Sequence, residues 1–170
     1  MKWVAASSDE LPAITRIFDE ARAFQRAQGF IQWKDGYPSR ATLLDDLEKG
    51  HGFLFTENGT VAGYVALSAG KDADYERLSH IWKHAGLYGT VHRLALGDAW
   101  RGRHLAQSLF DACESHLQAK GCTTVRIDTG VENVVMQRIL ERRGYENRGT
   151  HDFFPGKRIA FEKSLKKSFA

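Results

Sequence analysis

The chain has 170 residues, of which 42% are hydrophobic and 26% are charged. These proportions are typical of a globular protein, and they exclude extensive disorder or low-complexity structure. The 24 basic and 21 acidic residues leave a net charge of +3, and their weak clustering argues against a nucleic-acid partner. Neither a membrane-spanning apolar run nor a signal peptide is apparent. We therefore predict a single cytoplasmic domain over residues 1–170, with Cys113 and Cys122 as reduced thiols.

The N-terminal segment has the pattern of a short strand followed by a capped helix. Residues 2–6 favour a strand. Ser7 and Glu10, three residues apart, have the spacing of a capping box. Apolar residues then recur every three or four positions as far as Phe24, which predicts a helix that ends at Gly29.

A second helix and a hairpin are predicted next. The helix runs from Ser39 to Lys49 and is followed by two apolar runs, at 53–57 and 61–67. Asn58-Gly59 separates these runs, and this pair favours the positive φ angles of a type I′ turn. The two runs are therefore predicted to form a β-hairpin.

The second half of the chain alternates strands and helices. It comprises a polar connection over 68–89, a strand over 90–96, a loop over 97–103, a helix from about Leu105 to Lys120, a strand over 124–128, a helix over 133–143, and strands over 146–154 and 158–163. The order β-α-α-β-β-β-α-β-α-β-β predicts a mixed α/β (α+β) fold with a mostly antiparallel sheet flanked by helices. A ligand site is expected where the strand, loop and helix around residue 100 meet.

The loop near residue 100 has the chemistry of an anion site. The N-terminus of a helix presents N–H groups without intrahelical partners and a partial positive charge, so it suits a phosphate. Arg101 and Arg103 add positive charge, and Gly102 permits a close approach of ligand to backbone. On these residues alone, an ordinary loop with two solvated arginines is the alternative.

This loop resembles the Q/R-x-x-G-x-G/A motif of the GNAT superfamily of acetyl-CoA-dependent N-acetyltransferases. Arg101 and Ala106 match the ends of the motif, whereas His104 stands in place of its middle glycine. The run His92–Leu96 resembles the fourth strand of that family. The resemblance implies that acetyl-CoA binds here, with its pyrophosphate at the loop. The residues implied in binding are Leu94, Ala95, Leu96, Arg101, Gly102, Arg103, His104, Leu105 and Ala106.

A second block is similar to the family pattern N-x-x-(A/M)-x-x-L-x-e-k-x-G-F. It begins at Asn133 and ends at Gly144-Tyr145. The resemblance implies that Asn133 opens a helix beside the pantetheine arm of the coenzyme. Leu140 stands where many relatives have a tyrosine that protonates the departing thiolate, so the general acid is left open.

Further landmarks resemble an uncharacterised bacterial subgroup of the same superfamily, so that the resemblance covers nearly the whole chain. They are Gln32-Trp33 with Gly36-Tyr37-Pro38, the aromatic residues of the polar connection, His92-Arg93, Arg126-Ile127-Asp128-Thr129 and Arg158. This agreement implies the fold and the cofactor more firmly than it implies the substrate.

Acetyl transfer to an amine requires a base for the amine proton and a donor for the developing oxyanion. We expect the thioester to lie against the fourth strand, where that strand splays from the fifth. In some relatives a histidine at the position of His92 serves as base or proton relay, which makes His92 the candidate catalytic residue, with a structural histidine as the alternative. Arg93 is expected to pair with a carboxylate, and Asp128 is the candidate.

Aromatic residues offer an acceptor pocket through cation–π contact with an amine. The candidate acceptor-binding residues are Gln32, Trp33, Tyr37, Tyr75, Trp82 and Tyr88. The alternative is that these side chains only seal two long connections. His80 and His84 share an i,i+4 spacing without a third ligand nearby, so no metal site is predicted.

We therefore expect acetyl-CoA as donor, a primary amine of a small molecule or peptide as acceptor, and direct attack in a ternary complex. A catalytically silent CoA-binding or regulatory module is one alternative, suggested by His104 and Leu140. A toxin-type relative that acetylates aminoacyl-tRNA is the other. The sequence leaves the oligomeric state open, with a homodimer as one option.

Overall fold

The computed structural model describes residues 1–30, 32–33, 36–153 and 156–165. Its strands are β1 (Lys2–Ala5), β2 (Gly52–Glu57), β3 (Thr60–Ala69), β4 (Tyr88–Leu96), β5 (Thr124–Gly130), β6 (Glu146–Phe153) and β7 (Gly156–Ser164). Its α-helices are α1 (Leu11–Ala27), α2 (Arg40–Glu48), α3 (Ala73–Arg77), α4 (Ala106–Ala119) and α5 (Val134–Arg142). Single 3₁₀ turns occupy Ser8–Glu10, Ser79–Ile81 and Asp98–Trp100.

The seven strands form one sheet in the order β1-β2-β3-β4-β5-β7-β6. Strands β4 and β5 run parallel, whereas β1–β2, β2–β3, β5–β7 and β6–β7 pair antiparallel. The predicted mixed, mostly antiparallel fold is confirmed. The predicted element order lacks α3, because a five-residue helix is too short to produce a recognisable apolar period.

Local signals account for most element boundaries. Ser7 and Glu10 form the predicted capping box, with the Ser7 N–H donating to Glu10 Oε2 at 2.7 Å. Asn58 and Gly59 have φ angles of 50° and 77°, as a type I′ turn requires. Residue 154, the last position of the strand predicted over 146–154, lies outside the described residues. Among the helices described, none is both long and apolar enough to cross a bilayer.

The chain forms two compact units. Unit 1 comprises Met1–Leu67 and His92–Ala112, and unit 2 comprises Ser68–Val91 and Cys113–Ala170. The core of unit 1 buries the apolar face of α1 against residues of β2, β3 and β4; its members include Ile14, Phe18, Leu54, Tyr64 and Ala95. A core cluster of unit 2 consists of Tyr75, Leu78, Tyr88, Phe153 and Ala160. The single domain over residues 1–170 stays a prediction.

Candidate functional site

Strand β4 contains a backbone irregularity in unit 1. Arg93 has a φ angle of 54°, a left-handed conformation that is unusual for a residue with a Cβ atom. Strand β4 pairs with β5 in parallel register, with Tyr88–Thr90 opposite Thr124–Arg126. Arg93 therefore lies three residues beyond Thr90, the last paired residue. His92 precedes Arg93 directly, and its side chain is partly buried. The predicted catalytic histidine therefore lies next to the unusual backbone.

The guanidinium of Arg93 has three hydrogen bonds to side chains of unit 1. Its Nε donates to Asp46 Oδ2 at 2.7 Å, its Nη2 to Asp46 Oδ1 at 2.5 Å, and its Nη1 to Tyr37 Oη at 2.9 Å. Tyr64 Oη also donates to Asp46 Oδ2, at 3.0 Å. These four residues, Tyr37, Asp46, Tyr64 and Arg93, are called the Arg93 cluster below.

Burial sets the electrostatics of the Arg93 cluster. Asp46 is 3% exposed and Tyr64 is fully buried. Burial raises the pKa of Tyr64, and the neighbouring Asp46 carboxylate raises it further. For Arg93, burial acts to lower the pKa, but the bonds to Asp46 and Tyr37 outweigh it and the net pKa is raised. The cluster is therefore an ion pair with a neutral phenol donor.

The expectation that Arg93 pairs with Asp128 is wrong. Asp128 Oδ2 accepts instead from Arg158 Nη1 at 2.9 Å, and Asp128 Oδ1 accepts from Tyr75 Oη at 2.6 Å. The carboxylate beside Arg93 comes from α2, and strand parity in β4 contains no information about which helix residue packs there.

The loop after β4, residues 97–105, is held from its inner side. Its Asp98 N–H donates to Glu20 Oε2 of α1 at 2.8 Å. Arg101 Nε and Nη2 both lie 3.2 Å from the Leu96 carbonyl oxygen, and Arg101 also forms an ion pair with Asp98. The guanidinium of Arg101 lies 4.6 Å from the ring centroid of Phe24. Arg101 is thus occupied in holding the loop.

Two left-handed residues shape the outer side of the same loop. Gly102 has a φ of 74° and His104 a φ of 56°. Apart from its chain neighbours, no atom of the described residues lies within 4 Å of the place where a Cβ on Gly102 would stand. The side chain of Arg103 is 54% exposed; its Nη1 lies 3.9 Å from Glu57 Oε2, and its guanidinium lies 4.9 Å from the Trp100 ring centroid. Arg103 is therefore the outward-facing cation of the pair that the sequence identified.

His104 has a left-handed backbone conformation at the position where the motif that this loop resembles has glycine. A residue with a Cβ in the left-handed region costs roughly 1–2 kcal/mol. We expect His104→Gly to raise the free energy of unfolding by about 1 kcal/mol, measured by urea denaturation. Arg103→Gly is the control, because residue 103 is not among the positive-φ positions and the change should destabilise there. Equal losses of unfolding free energy in the two variants would contradict the presence of backbone strain at His104.

The remaining predicted cofactor contacts of β4 are partly or fully buried. Ala95 belongs to the core of unit 1, and Leu94 and Leu96 are partly buried. Leu105 ends the loop, and its carbonyl oxygen accepts from the Leu109 N–H at 3.0 Å as α4 begins at Ala106. The nine predicted cofactor-binding residues, 94–96 and 101–106, thus lie on one strand–loop–helix connection.

The first group of candidate acceptor residues also lies in unit 1. The Trp33 ring packs edge-on against Phe18, with 5.3 Å between ring centroids. Tyr37 is exposed, and Gln32 is partly buried. Tyr37 is therefore both exposed and in contact with Arg93.

The second group of candidate acceptor residues lies in unit 2 and has the contacts of core residues. Tyr75 is fully buried and bonded to Asp128, and burial raises its pKa. Trp82 Nε1 donates to the Tyr75 carbonyl oxygen at 2.8 Å. Tyr88 Oη donates to Glu76 and accepts from the Asp72 N–H. These contacts fit the alternative that the rings seal the long connection, and their acceptor role stays a prediction.

Sequence reasoning missed a buried charge cluster in unit 2. Glu162 is fully buried, and it accepts from Arg148 Nε at 3.1 Å, from Arg126 Nε at 3.4 Å and from the Lys83 N–H at 2.9 Å. Arg126 also lies over the Tyr88 ring, 3.8 Å from its centroid. No local pattern marks Glu162, because its partners come from distant segments.

The predicted helix of the second motif is observed as α5. Asn133 is its N-cap, and Asn133 Oδ1 accepts from the Met136 N–H at 3.1 Å. Leu140 is fully buried. Tyr145 Oη donates to Glu114 at 3.1 Å. The pantetheine contact of Asn133 stays a prediction, and the general acid remains unassigned.

Comparison with known proteins defines the class. The model of the acetyltransferase (GNAT) family matches residues 14–145. The chain belongs to the GNAT family of acetyltransferases.

Solved structures agree with this assignment. A GNAT-family acetyltransferase from Streptococcus agalactiae is 32% identical, with a TM-score of 0.85 over 98% of this chain and 96% of that one. A GNAT-family acetyltransferase from Listeria monocytogenes is 20% identical, with a TM-score of 0.75 over 96% and 94%. The ribosomal-protein-S18-alanine N-acetyltransferase of Escherichia coli is 16% identical, with a TM-score of 0.66 over 99% and 97%. The last two similarities concern the fold alone.

Proposed function

We propose that the protein transfers an acetyl group from acetyl-CoA to a primary amine of a small molecule or peptide, by direct attack in a ternary complex. The observation that carries the proposal is the loop over residues 97–105. It combines left-handed residues at Gly102 and His104 with an exposed Arg103, and it leads directly into a 14-residue helix. Family membership supplies the class of reaction.

The residues of this loop fit a phosphate-bearing ligand. The first N–H groups of α4 have no partners within the helix and lie at its positive end. The open space beside Gly102 allows a ligand to approach the backbone, and Arg103 supplies a charge for an anion. The pyrophosphate would be held by 101–106, and the backbone of Leu94, Ala95 and Leu96 would lie along the arm of the coenzyme.

In the proposed reaction, acetyl-CoA supplies the acyl group and the protein supplies the proton acceptor. Bound acetyl-CoA supplies a thioester whose carbonyl carbon an amine attacks. His92 accepts the proton that the amine loses, directly or through water. Gln32, Trp33 and Tyr37 are the acceptor-binding residues to test first, because they belong to the same unit as His92.

Titration calorimetry with CoA and acetyl-CoA tests the donor, and release of free thiol in the presence of an amine panel tests the transfer. Binding together with amine-dependent thiol release is the expected result. Binding without transfer to any acceptor would favour the silent CoA-binding module. Acetylation of aminoacyl-tRNA alone would favour the toxin-type alternative, and tRNA affinity should then fall steeply with salt.

The contacts of the two loop arginines predict different effects on mutation. Arg103→Ala should weaken CoA binding by about 1–3 kcal/mol, the scale of hydrogen bonds to charged groups, with only a small effect on the Tm of the free protein, because its contacts are exposed. Arg101→Ala should lower that Tm, because it removes the bonds to the Leu96 carbonyl, and should weaken CoA binding as well.

Lys49→Ala is the control for this pair, since it removes one exposed cation of α2's C-terminus that pairs with Asp45. Calorimetry and thermal unfolding measure the two effects separately. Unchanged CoA affinity in the variant that lacks both Arg101 and Arg103 would contradict the assignment of the phosphate loop.

A further inference from the structure

We propose that Asp46 is a positioning residue for acyl transfer, which acts through Arg93 to hold the β4 backbone beside His92 in its left-handed conformation. This inference rests on the proposed function, because it assigns the purpose of the backbone at the predicted catalytic strand. Asp46 lies on α2, 47 residues before Arg93, and belongs to neither family motif.

The conformation of Arg93 requires an external restraint. Strand residues have negative φ angles, and a left-handed arginine persists only where surrounding contacts determine it. The Arg93 side chain has such contacts: two bonds from its guanidinium to the Asp46 carboxylate and one to Tyr37 Oη. The paired bonds to Asp46 fix both the position and the plane of the guanidinium.

The burial of the Asp46–Arg93 ion pair indicates that the pair fixes backbone geometry rather than adds stability. A buried ion pair adds little net stability compared with apolar residues of the same volume, because both charges lose their hydration. Asp46 is almost completely buried and has a third bond from the buried Tyr64. A cluster of this kind holds one arrangement of the backbone at the expense of stability.

The backbone conformation at Arg93 determines which side chains and N–H groups β4 directs toward the proposed thioester. Side chains alternate between the two faces of a regular strand, and an irregular residue re-aims its neighbours. The φ angle of Arg93 therefore sets the direction of the His92 side chain relative to the Leu94 N–H and the strand that follows. Tyr37 extends the same cluster to an exposed candidate acceptor residue.

Two double variants separate backbone positioning from loss of the ion pair. Both contain Asp46→Asn, which avoids an unpaired buried carboxylate; one adds Arg93→Gly and the other Arg93→Ala. Both lack the guanidinium, but only glycine adopts a φ near 54° without strain. With both variants shown to be folded, we expect the alanine variant to have a kcat at least about tenfold below that of the glycine variant, since an ångström of misplacement can cost about 10²-fold.

A crystal structure of the alanine double variant provides a readout without activity. Its residue 93 is expected to leave the left-handed region. A positive φ retained there would overturn the inference, because the strand alone would then impose the conformation. Equal kcat values in two folded double variants would also overturn it.

Asp45→Asn is the matched control, because Asp45 directly precedes Asp46 on α2 and its ion pair with Lys49 is exposed. The kcat of this variant should equal that of the wild type. Should a double variant fail to fold, single Asp46→Asn replaces it, and an unchanged kcat and pH profile in that variant would overturn the inference. Absence of acetyl-CoA binding by the wild-type protein would contradict the proposed function instead, and the backbone readout would still test the positioning.

Discussion

Replacement of His92 by alanine is expected to lower kcat by about 10²-fold or more, within the range for removal of a general base. His92 lies on β4 next to the left-handed Arg93, on the strand proposed to lie against the thioester. A neutral imidazole has one ring nitrogen that can accept a proton, so His92 can take the proton that the amine loses. CoA affinity should change little, because the phosphate loop rather than this side chain would hold the coenzyme.

The measurement is kcat and kcat/KM with a verified acceptor and a variant shown to be folded, together with CoA affinity by calorimetry. His116→Ala, in α4 of unit 2, controls for the loss of a partly buried histidine. An unchanged kcat would remove His92 from the mechanism.

Replacement of Glu162 by alanine is expected to lower the free energy of unfolding by about 3–5 kcal/mol, the cost of leaving buried charges unpaired. The side chains of Arg126 and Arg148 are only 9% and 4% exposed, so neither guanidinium can recover its hydration without a rearrangement of unit 2. The Lys83 N–H also loses its acceptor. Urea denaturation measures the change.

Glu146→Ala is the matched control for Glu162→Ala. Glu146 also pairs with Arg148, at 3.1 Å, but its side chain is 52% exposed, and surface ion pairs contribute little. Its effect on stability should therefore be small. Similar losses in the two variants would contradict the view that burial of Glu162 determines its importance.

The features that the sequence by itself determined are local. The capping box of Ser7 and Glu10 and the Asn58-Gly59 turn depend on residues within four positions of each other, so their geometry follows from the residues alone. The fold class and the family could be predicted for a related reason: the strand–loop–helix around residue 100 and the helix at Asn133 have characteristic spacing along the chain. Even the unusual His104 was visible, because the motif expects a glycine there.

Only the tertiary structure decided the partners that charged and aromatic side chains have in distant segments. Arg93 bonds to Asp46 across 47 residues, Tyr75 to Asp128 across 53, and Arg126 to Glu162 across 36. Strand parity and helix periodicity predict which face of an element is buried, but they contain no information about what packs against it. The division of roles between an inward Arg101 and an outward Arg103 has the same cause in part, because the Phe24 ring that contacts Arg101 meets it only when α1 packs beside the end of β4.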